Sequence, residues 1–180
     1  MAASALVLLG ASPAAGHVTI AVSTTEAGAV AQVRLEVPHG CVGSATTEIA
    51  VRMPPGVSEV DADSTERWAA DPRADSVTFR TDDPLPDALR DEVVLSLRLP
   101  DDVGAVLVFP VVQRCEEGES AWTEVAEDAA SGDALELPAP VVVVTGPDGS
   151  ARPMAYGAAG LLAAGCLSSA AVLVVRRRRA

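Results

Sequence analysis

The chain has 180 residues, 49% of them hydrophobic, and a formal net charge of −12, which suits one domain with terminal appendages. The charge is uneven, because residues 17–153 hold 9 arginines and all 25 acidic residues, a net charge of −16, whereas residues 176–179 are four arginines. So acidic a domain repels nucleic acid and anionic lipid headgroups, which excludes both as its partners.

The N-terminal residues 1–16 are typical of a signal peptide. Residues 5–9 form an apolar centre, and Ala14 and Gly16 are small residues suited to the −3 and −1 positions of a signal-peptidase site. Because no basic residue precedes the apolar centre, we expect the true start codon to lie upstream of Met1. Cleavage after Gly16 would make His17 the first residue of the mature protein.

The central region alternates apolar and polar residues with the period of two that predicts β-strands. No segment of residues 17–150 keeps helical periodicity for three turns, and prolines separate the alternating segments. The predicted strands are 18–23, 31–37, 46–53, 76–80, 92–99, 106–112, 122–125 and 141–145. Many short strands in about 130 residues predict an all-β domain at 17–145, an antiparallel, immunoglobulin-like β-sandwich.

The C-terminal segment predicts a membrane anchor. A polar linker at 146–154 leads to residues 155–175, an uncharged run long enough to cross a bilayer as a helix. The basic tail at 176–180 is a stop-transfer and positive-inside signal. We therefore expect a single-pass protein of the cell membrane, with its domain extracytoplasmic and its C-terminus cytoplasmic.

Two of the three cysteines lie in the exported domain. Cys41 and Cys115 most simply form a disulfide bond in an oxidising compartment, although ligation of a metal by their thiolates is an alternative. Cys166 falls in the predicted membrane span, where packing is its simplest role.

The sequence has no motif of a known catalytic site. It contains no CxxC, HExxH or glycine-rich phosphate loop, and its two histidines do not lie in a recognisable nucleophile motif. We therefore expect a protein that is not an enzyme.

A series of motifs in residues 17–145 resembles the YcnI-like copper-binding proteins. The series consists of His17-Val18-Thr19, Val37-Pro38-His39-Gly40-Cys41, Gly43-Ser44-Ala45-Thr46-Thr47, Pro54-Pro55-Gly56-Val57, Gln113-Arg114-Cys115-Glu116-Glu117-Gly118 with Trp122, and Pro138-Ala139-Pro140. One departure is Glu66-Arg67-Trp68, where a Gly-Trp pair is more usual. The predicted signal peptide and membrane anchor also match that family's layout.

The resemblance implies a Cu(II) site built around a single N-terminal histidine. His17 would supply its α-amine and Nδ1, which can close a six-membered chelate of the nitrogen type that Cu(II) prefers. Glu48 would supply a carboxylate oxygen, and Trp122 would lie near the ion. His39 is a possible additional ligand, although a histidine in such a turn commonly only bonds to the backbone.

These observations predict an extracytoplasmic Cu(II)-binding protein for copper acquisition or delivery. Its expected partners are the copper ion and, from the resemblance, a membrane copper transporter or another copper chaperone. Two other hypotheses stay open: a metal-free cell-surface module that binds another protein, and a copper-dependent oxidase, which a second histidine ligand would favour.

Overall fold

A computed structural model of the protein describes residues 16–126 and 134–147. Within these residues the chain forms eleven β-strands: β1 (Thr19–Val22), β2 (Val30–Val37), β3 (Thr46–Arg52), β4 (Ser58–Asp61), β5 (Ala69–Pro72), β6 (Ser76–Leu85), β7 (Asp91–Arg98), β8 (Val106–Val108), β9 (Val111–Cys115), β10 (Glu119–Trp122) and β11 (Val141–Val143). Every pairing between these strands is antiparallel.

The strands form two main sheets and a two-stranded ribbon. The first sheet has the order β1-β2-β7-β4, the second has the order β10-β9-β3-β6-β5, and β11 pairs with β8 in the ribbon. The first sheet follows the predicted alternation, because every second side chain of β2 is buried and those between them are mostly exposed. The all-β, antiparallel prediction is therefore confirmed.

One hydrophobic core lies between the two sheets. It takes Val33 and Leu95 from the first sheet, Ile49 and Phe79 from the second, and Val142 from the ribbon. Trp68, which precedes β5, is also buried in this core, and its indole N–H donates to Asp91 Oδ2 (3.1 Å). A core shared by both sheets is the defining feature of a β-sandwich.

Several predicted strands are wrong in their bounds. The strand predicted at 76–80 continues to Leu85, and the one predicted at 141–145 ends at Val143. Residues 106–112 form two strands, because Pro110 has no N–H to donate and the chain changes sheets there, from the ribbon to β9. The strand predicted at 122–125 lies instead at Glu119–Trp122, where β10 forms a hairpin with β9. Gly118 closes that hairpin at φ +80°, a conformation that glycine adopts without steric cost.

The predicted terminal segments lie almost entirely outside the described residues. This applies to the signal peptide up to residue 15, to the membrane span at 155–175, to the basic tail, and to the linker after residue 147. Among the described residues, no helix has the length and hydrophobicity that crossing a membrane requires.

Candidate metal centre

His17 lies two residues before the first strand. Val18 is buried in the core and β1 begins at Thr19, whereas the His17 side chain is exposed. Thr19 pairs with Glu36, so the antiparallel register places the residues before β1 beside the turn that follows β2. Burial of Val18 therefore fixes the backbone of residue 17 at the end of the sandwich and leaves its imidazole at the surface.

The His17 imidazole lies against the indole of Trp122. Their ring centroids are 6.0 Å apart and their planes make an angle of 72°, an edge-to-face arrangement. Trp122 is the last residue of β10 and is only 3% exposed. The structure thus brings together two of the residues that the sequence analysis assigned to the copper site.

A buried glutamine holds Trp122 in place. The Trp122 Nε1–H donates to Gln113 Oε1 (3.2 Å), and Gln113 Nε2 donates to the His39 carbonyl (2.6 Å) and to Thr46 Oγ1 (2.8 Å). Gln113 has no exposed surface, and a buried amide is tolerated only because its polar atoms are hydrogen-bonded. One side chain therefore fixes both the indole and the backbone of the turn that contains His39.

Sequence reasoning recognised Gln113 only as part of a motif and gave it no role. A signal for it exists in β9, because Val111, Gln113 and Cys115 are alternate residues of the strand and lie on the same face. A glutamine at a core-facing position of an otherwise apolar strand indicates a buried polar contact, although the sequence does not identify its partners.

His39 lies beside the residue that precedes His17. A methyl group on Gly16 would lie 2.9 Å from Pro38 Cβ and 3.6 Å from His39 Cδ2, so only glycine fits here without displacing Pro38. His39 Nδ1 bonds to the Gly40 carbonyl (2.7 Å), and because a carbonyl can only accept, Nδ1 is the donor. In the neutral ring this leaves the lone pair on Nε2. Both histidines of the chain therefore lie at the same end of the sandwich.

The predicted disulfide bond is confirmed. Cys41 and Cys115 are bonded to each other, with their Cα atoms 6.0 Å apart. The bond ties the turn after β2 to the end of β9, two residues from each of His39 and Gln113. Both sulfurs are used in this bond, so the alternative role of these cysteines as thiolate ligands is excluded for the oxidised protein.

Glu48 lies on the other face of its sheet. Its neighbour Ile49 points into the core, and strand alternation directs Glu48 outward, where its carboxylate bonds to Arg80 Nε (2.7 Å) and Arg114 Nη1. The side chain is 15% exposed. The structure therefore does not bring Glu48 together with His17 and Trp122, and its role as a copper ligand stays a prediction.

The site has fewer protein donors than a preformed metal cage. Across residues 16–126 and 134–147, no three His, Cys, Asp or Glu residues are grouped so that they could hold a metal ion. His17 differs from an internal histidine, because cleavage before it would add an amine donor to the same residue. The donors fit an open Cu(II) site that forms on maturation, in which one residue provides two nitrogens.

Comparison with known proteins supports the fold and identifies a family. Residues 17–75 and 71–144 match a family described as "Domain of unknown function (DUF1775)". A solved structure of an uncharacterized protein from Nocardia farcinica, described as having an immunoglobulin-like fold, is 25% identical, with a TM-score of 0.63, and the match covers 72% of this chain and 98% of that one. The predicted immunoglobulin-like architecture is therefore confirmed.

A more distant similarity is to a type III cohesin module from the cellulosomal ScaE cell-surface anchoring scaffoldin of Ruminococcus flavefaciens. It is 12% identical with a TM-score of 0.40, and the match covers 72% of this chain and 87% of that one. No curated protein matches the chain.

Proposed function

The chain belongs to the DUF1775 family, and we propose that it is an extracytoplasmic, membrane-anchored protein that binds Cu(II) through an N-terminal His17. We propose further that it acquires or delivers copper and is not an enzyme. The resemblance of residues 17–145 to the YcnI-like copper-binding proteins supports this proposal. The observation on which it depends most is the contact between the exposed His17 ring and the buried Trp122.

His17 would bind copper through two atoms of one residue. Cleavage after Gly16 would convert the nitrogen of His17 from an amide, which is a poor ligand, to a primary amine. The amine and Nδ1 then form a six-membered chelate of the nitrogen type that suits Cu(II). Because burial of Val18 holds the backbone in place, the two donors lose little conformational freedom on binding.

Trp122 would shape the surroundings of the ion and would not coordinate it. Its indole N–H donates to Gln113, and its ring lies edge-to-face with the His17 imidazole. This contact restricts the imidazole to one side of the tryptophan and keeps water from that side. A ligand held by packing and by a second layer of hydrogen bonds is better ordered than one on a free terminus.

Glu48 remains the proposed oxygen ligand from the resemblance. Its carboxylate would have to leave Arg80 and Arg114 in order to reach copper at His17. The net charge of −16 over residues 17–153 supports the capture of a cation in a more general way, because it raises the local concentration of positive ions.

The test compares two proteins that differ by one residue. The chain beginning at His17, prepared with a protease that leaves no extra residue, is titrated with Cu(II) in competition with a chelator. The matched control has a single alanine before His17, which keeps the imidazole and moves the amine away from it. We expect Cu(II) affinity to fall at least tenfold in the control, and equal affinities would refute the role of the amine.

A further inference from the structure

We infer that the ribbon of β8 and β11 is an interface between two copies of this chain, which meet on its outer side. The inference goes beyond the copper site and rests on the proposed function only for the membrane anchor. The residues that form this interface are a group of four valines, the valine face: Val106, Val108, Val141 and Val143.

The four valines lie on one side of the ribbon. The antiparallel register pairs Val106 with Val143 and Val108 with Val141, and cross-strand partners point to the same side of a sheet. The residues between them, Leu107 and Val142, point the other way and are buried in the core. Three of the four valines are 42–47% exposed, so the ribbon has one core-facing side and one apolar side open to solvent.

Exposed apolar side chains are concentrated on this face. Seven large hydrophobic residues are exposed in the part of the chain that the structure describes, and three of them belong to the valine face. The other four lie singly, on β2 and in three separate turns or loops. Single exposed apolar residues are normal on a protein surface, whereas a contiguous group is typical of an interaction site.

The ribbon is also free of charge in a strongly acidic domain. Residues 103–112 and 137–147 contain no charged residue, although residues 17–153 hold 9 arginines and 25 acidic residues. Two copies that meet through the ribbon therefore do not place carboxylates of these strands against each other. Repulsion between the other faces is screened, because the Debye length is about 8 Å at physiological ionic strength.

The chain leaves the domain from this ribbon. The Thr145 N–H donates to the Thr25 carbonyl (2.7 Å), and the Ala27 N–H donates to the Thr145 carbonyl (2.9 Å), so the backbone is held in place to two residues beyond β11. The nine residues 146–154 then lead to the predicted membrane span, a reach of at most about 30 Å. Two valine faces related by a twofold axis along the strands would direct both chains to the same side, where a single membrane can hold both anchors.

The predicted membrane span has a sequence pattern that favours the same partner. Small residues recur every four positions at Gly160, Ala164 and Ser168. This spacing is typical of helices that associate within a membrane, because small residues let two backbones approach closely. The span and the valine face thus independently indicate a second copy of the chain.

The size of the valine face limits where the dimer forms. Four valines, three of them slightly less than half exposed, cover much less than the ~1,000 Å² expected of a specific interface in solution. Anchors in one membrane raise the local concentration of the domains and make a weak contact effective. We therefore expect the dimer in the membrane.

Cross-linking of the chain from His17 to Ala180 in phosphatidylcholine vesicles tests this inference. All variants carry Cys166→Ala, which removes the thiol of the predicted span. A short bismaleimide is added to Val143→Cys and to the matched control Leu89→Cys, because Leu89 is 51% exposed in a turn far along the chain from the ribbon. We expect about fivefold or more covalent dimer for Val143→Cys. Equal yields would show random collision and overturn the inference.

A charge on the valine face gives a second test. Val143→Glu, introduced beside Val106→Cys, would place an unpaired carboxylate in the interface, and we expect the cross-linked dimer of Val106→Cys to fall about fivefold or more. Leu89→Glu in the same background is the control and should leave the yield unchanged, with melting temperatures to verify folding. An unchanged yield in a folded Val143→Glu variant would overturn the inference.

Discs that hold a single copy distinguish a second copy from the lipid surface as the partner. A fluorophore on Val143→Cys should be quenched freely by aqueous iodide in such discs, and shielding there would show that lipid covers the face, contrary to the inference. Cu(II) affinity should be unchanged in all these variants, so failure of the dimer leaves the copper proposal intact. Failure of the parent chain to associate with vesicles would refute the proposed anchor and the inference with it.

Discussion

The two faces of the second sheet stabilise their polar side chains in different ways, with hydrogen bonds to a neutral amide on one face and with ion pairs on the other. On the inner face, Gln113 is fully buried and neutral, and its hydrogen bonds connect Trp122, the His39 turn and Thr46. On the outer face, the Glu48 carboxylate lies between two arginines whose side chains are more than half exposed. The inner arrangement fixes the geometry of the candidate metal centre, and the outer one contributes mainly surface charge pairing.

The largest expected effect is loss of the disulfide bond that anchors the inner-face network. The bond joins residues 74 apart, and the chain-entropy model gives about 4 kcal/mol for a loop of this length. We expect the Cys41→Ala, Cys115→Ala double variant to lose about this free energy of unfolding in a urea titration. The wild-type protein under reducing conditions is the control, and a loss below about 1 kcal/mol in both would show that the network does not depend on the bond.

Gln113→Leu tests whether the inner-face hydrogen bonds are as important as their burial implies. The substitution leaves the Trp122 N–H, the His39 carbonyl and Thr46 Oγ1 without their partner, and we expect a loss of about 2–3 kcal/mol. Gln32→Leu is the matched control, because Gln32 is exposed on β2 and, among the described residues, its side chain bonds only to Arg34, whose Nη2 donates to Gln32 Oε1 (2.7 Å). The same small change in both variants, measured by urea unfolding, would contradict the contrast between the faces.

Glu48→Gln measures the outer face directly. The carboxylate loses its charge between Arg80 and Arg114, and we expect destabilisation of about 1 kcal/mol, smaller at high salt because the arginines are exposed. Glu36→Gln is the control, since Glu36 is more exposed and, within residues 16–126 and 134–147, forms an ion pair only with Arg90, at 3.3 Å. If Glu48→Gln proved more destabilising than Gln113→Leu, the assignment of the inner face as the rigid one would be wrong.

The smallest effect concerns an exposed ion pair outside both regions. The hydrogen bond from Arg98 lowers the pKa of Glu59 below 4.5, and burial opposes this only partly. Because the folded-state pKa is lowered, the stabilisation is present above the unfolded pKa and is lost as the pH falls through the folded value. Other carboxylates protonate in the same range, so we expect melting temperature to fall with pH in both proteins, with a slightly smaller fall in Glu59→Gln. An identical pH profile for the variant would show that the pair contributes nothing.

The sequence was sufficient to predict the central strands and the sandwich, but not its edges. β2, β3 and β7 have the apolar alternation of strands with one buried face, and their predicted bounds differ from the structure by a single residue at most. β4 and β5 were missed because they are edge strands, the last in each sheet, and edge strands are short and polar. These two segments form strands because they pair with the neighbouring strand of their sheet. The local sequence pattern does not show that neighbour.

The candidate site was predictable only in part for the same reason. The resemblance identified His17 and Trp122, and the structure brings their rings into contact. The arginine partners of Glu48 come from β6 and β9, and they meet it only because of the register on either side of β3. A register shift between Thr46 and Glu48 makes these neighbours impossible to assign from sequence spacing.

The central claim is that maturation creates the copper site at His17. Native mass spectrometry of the full chain, after export by a bacterial host in the presence of Cu(II), reads the first residue and the bound metal in one measurement. The proposal predicts that the species that begins at His17 binds one copper ion and that any species with a residue before His17 carries at least tenfold less copper at the same limiting Cu(II) concentration. Equal copper occupancy of both species, or copper on neither, would contradict it.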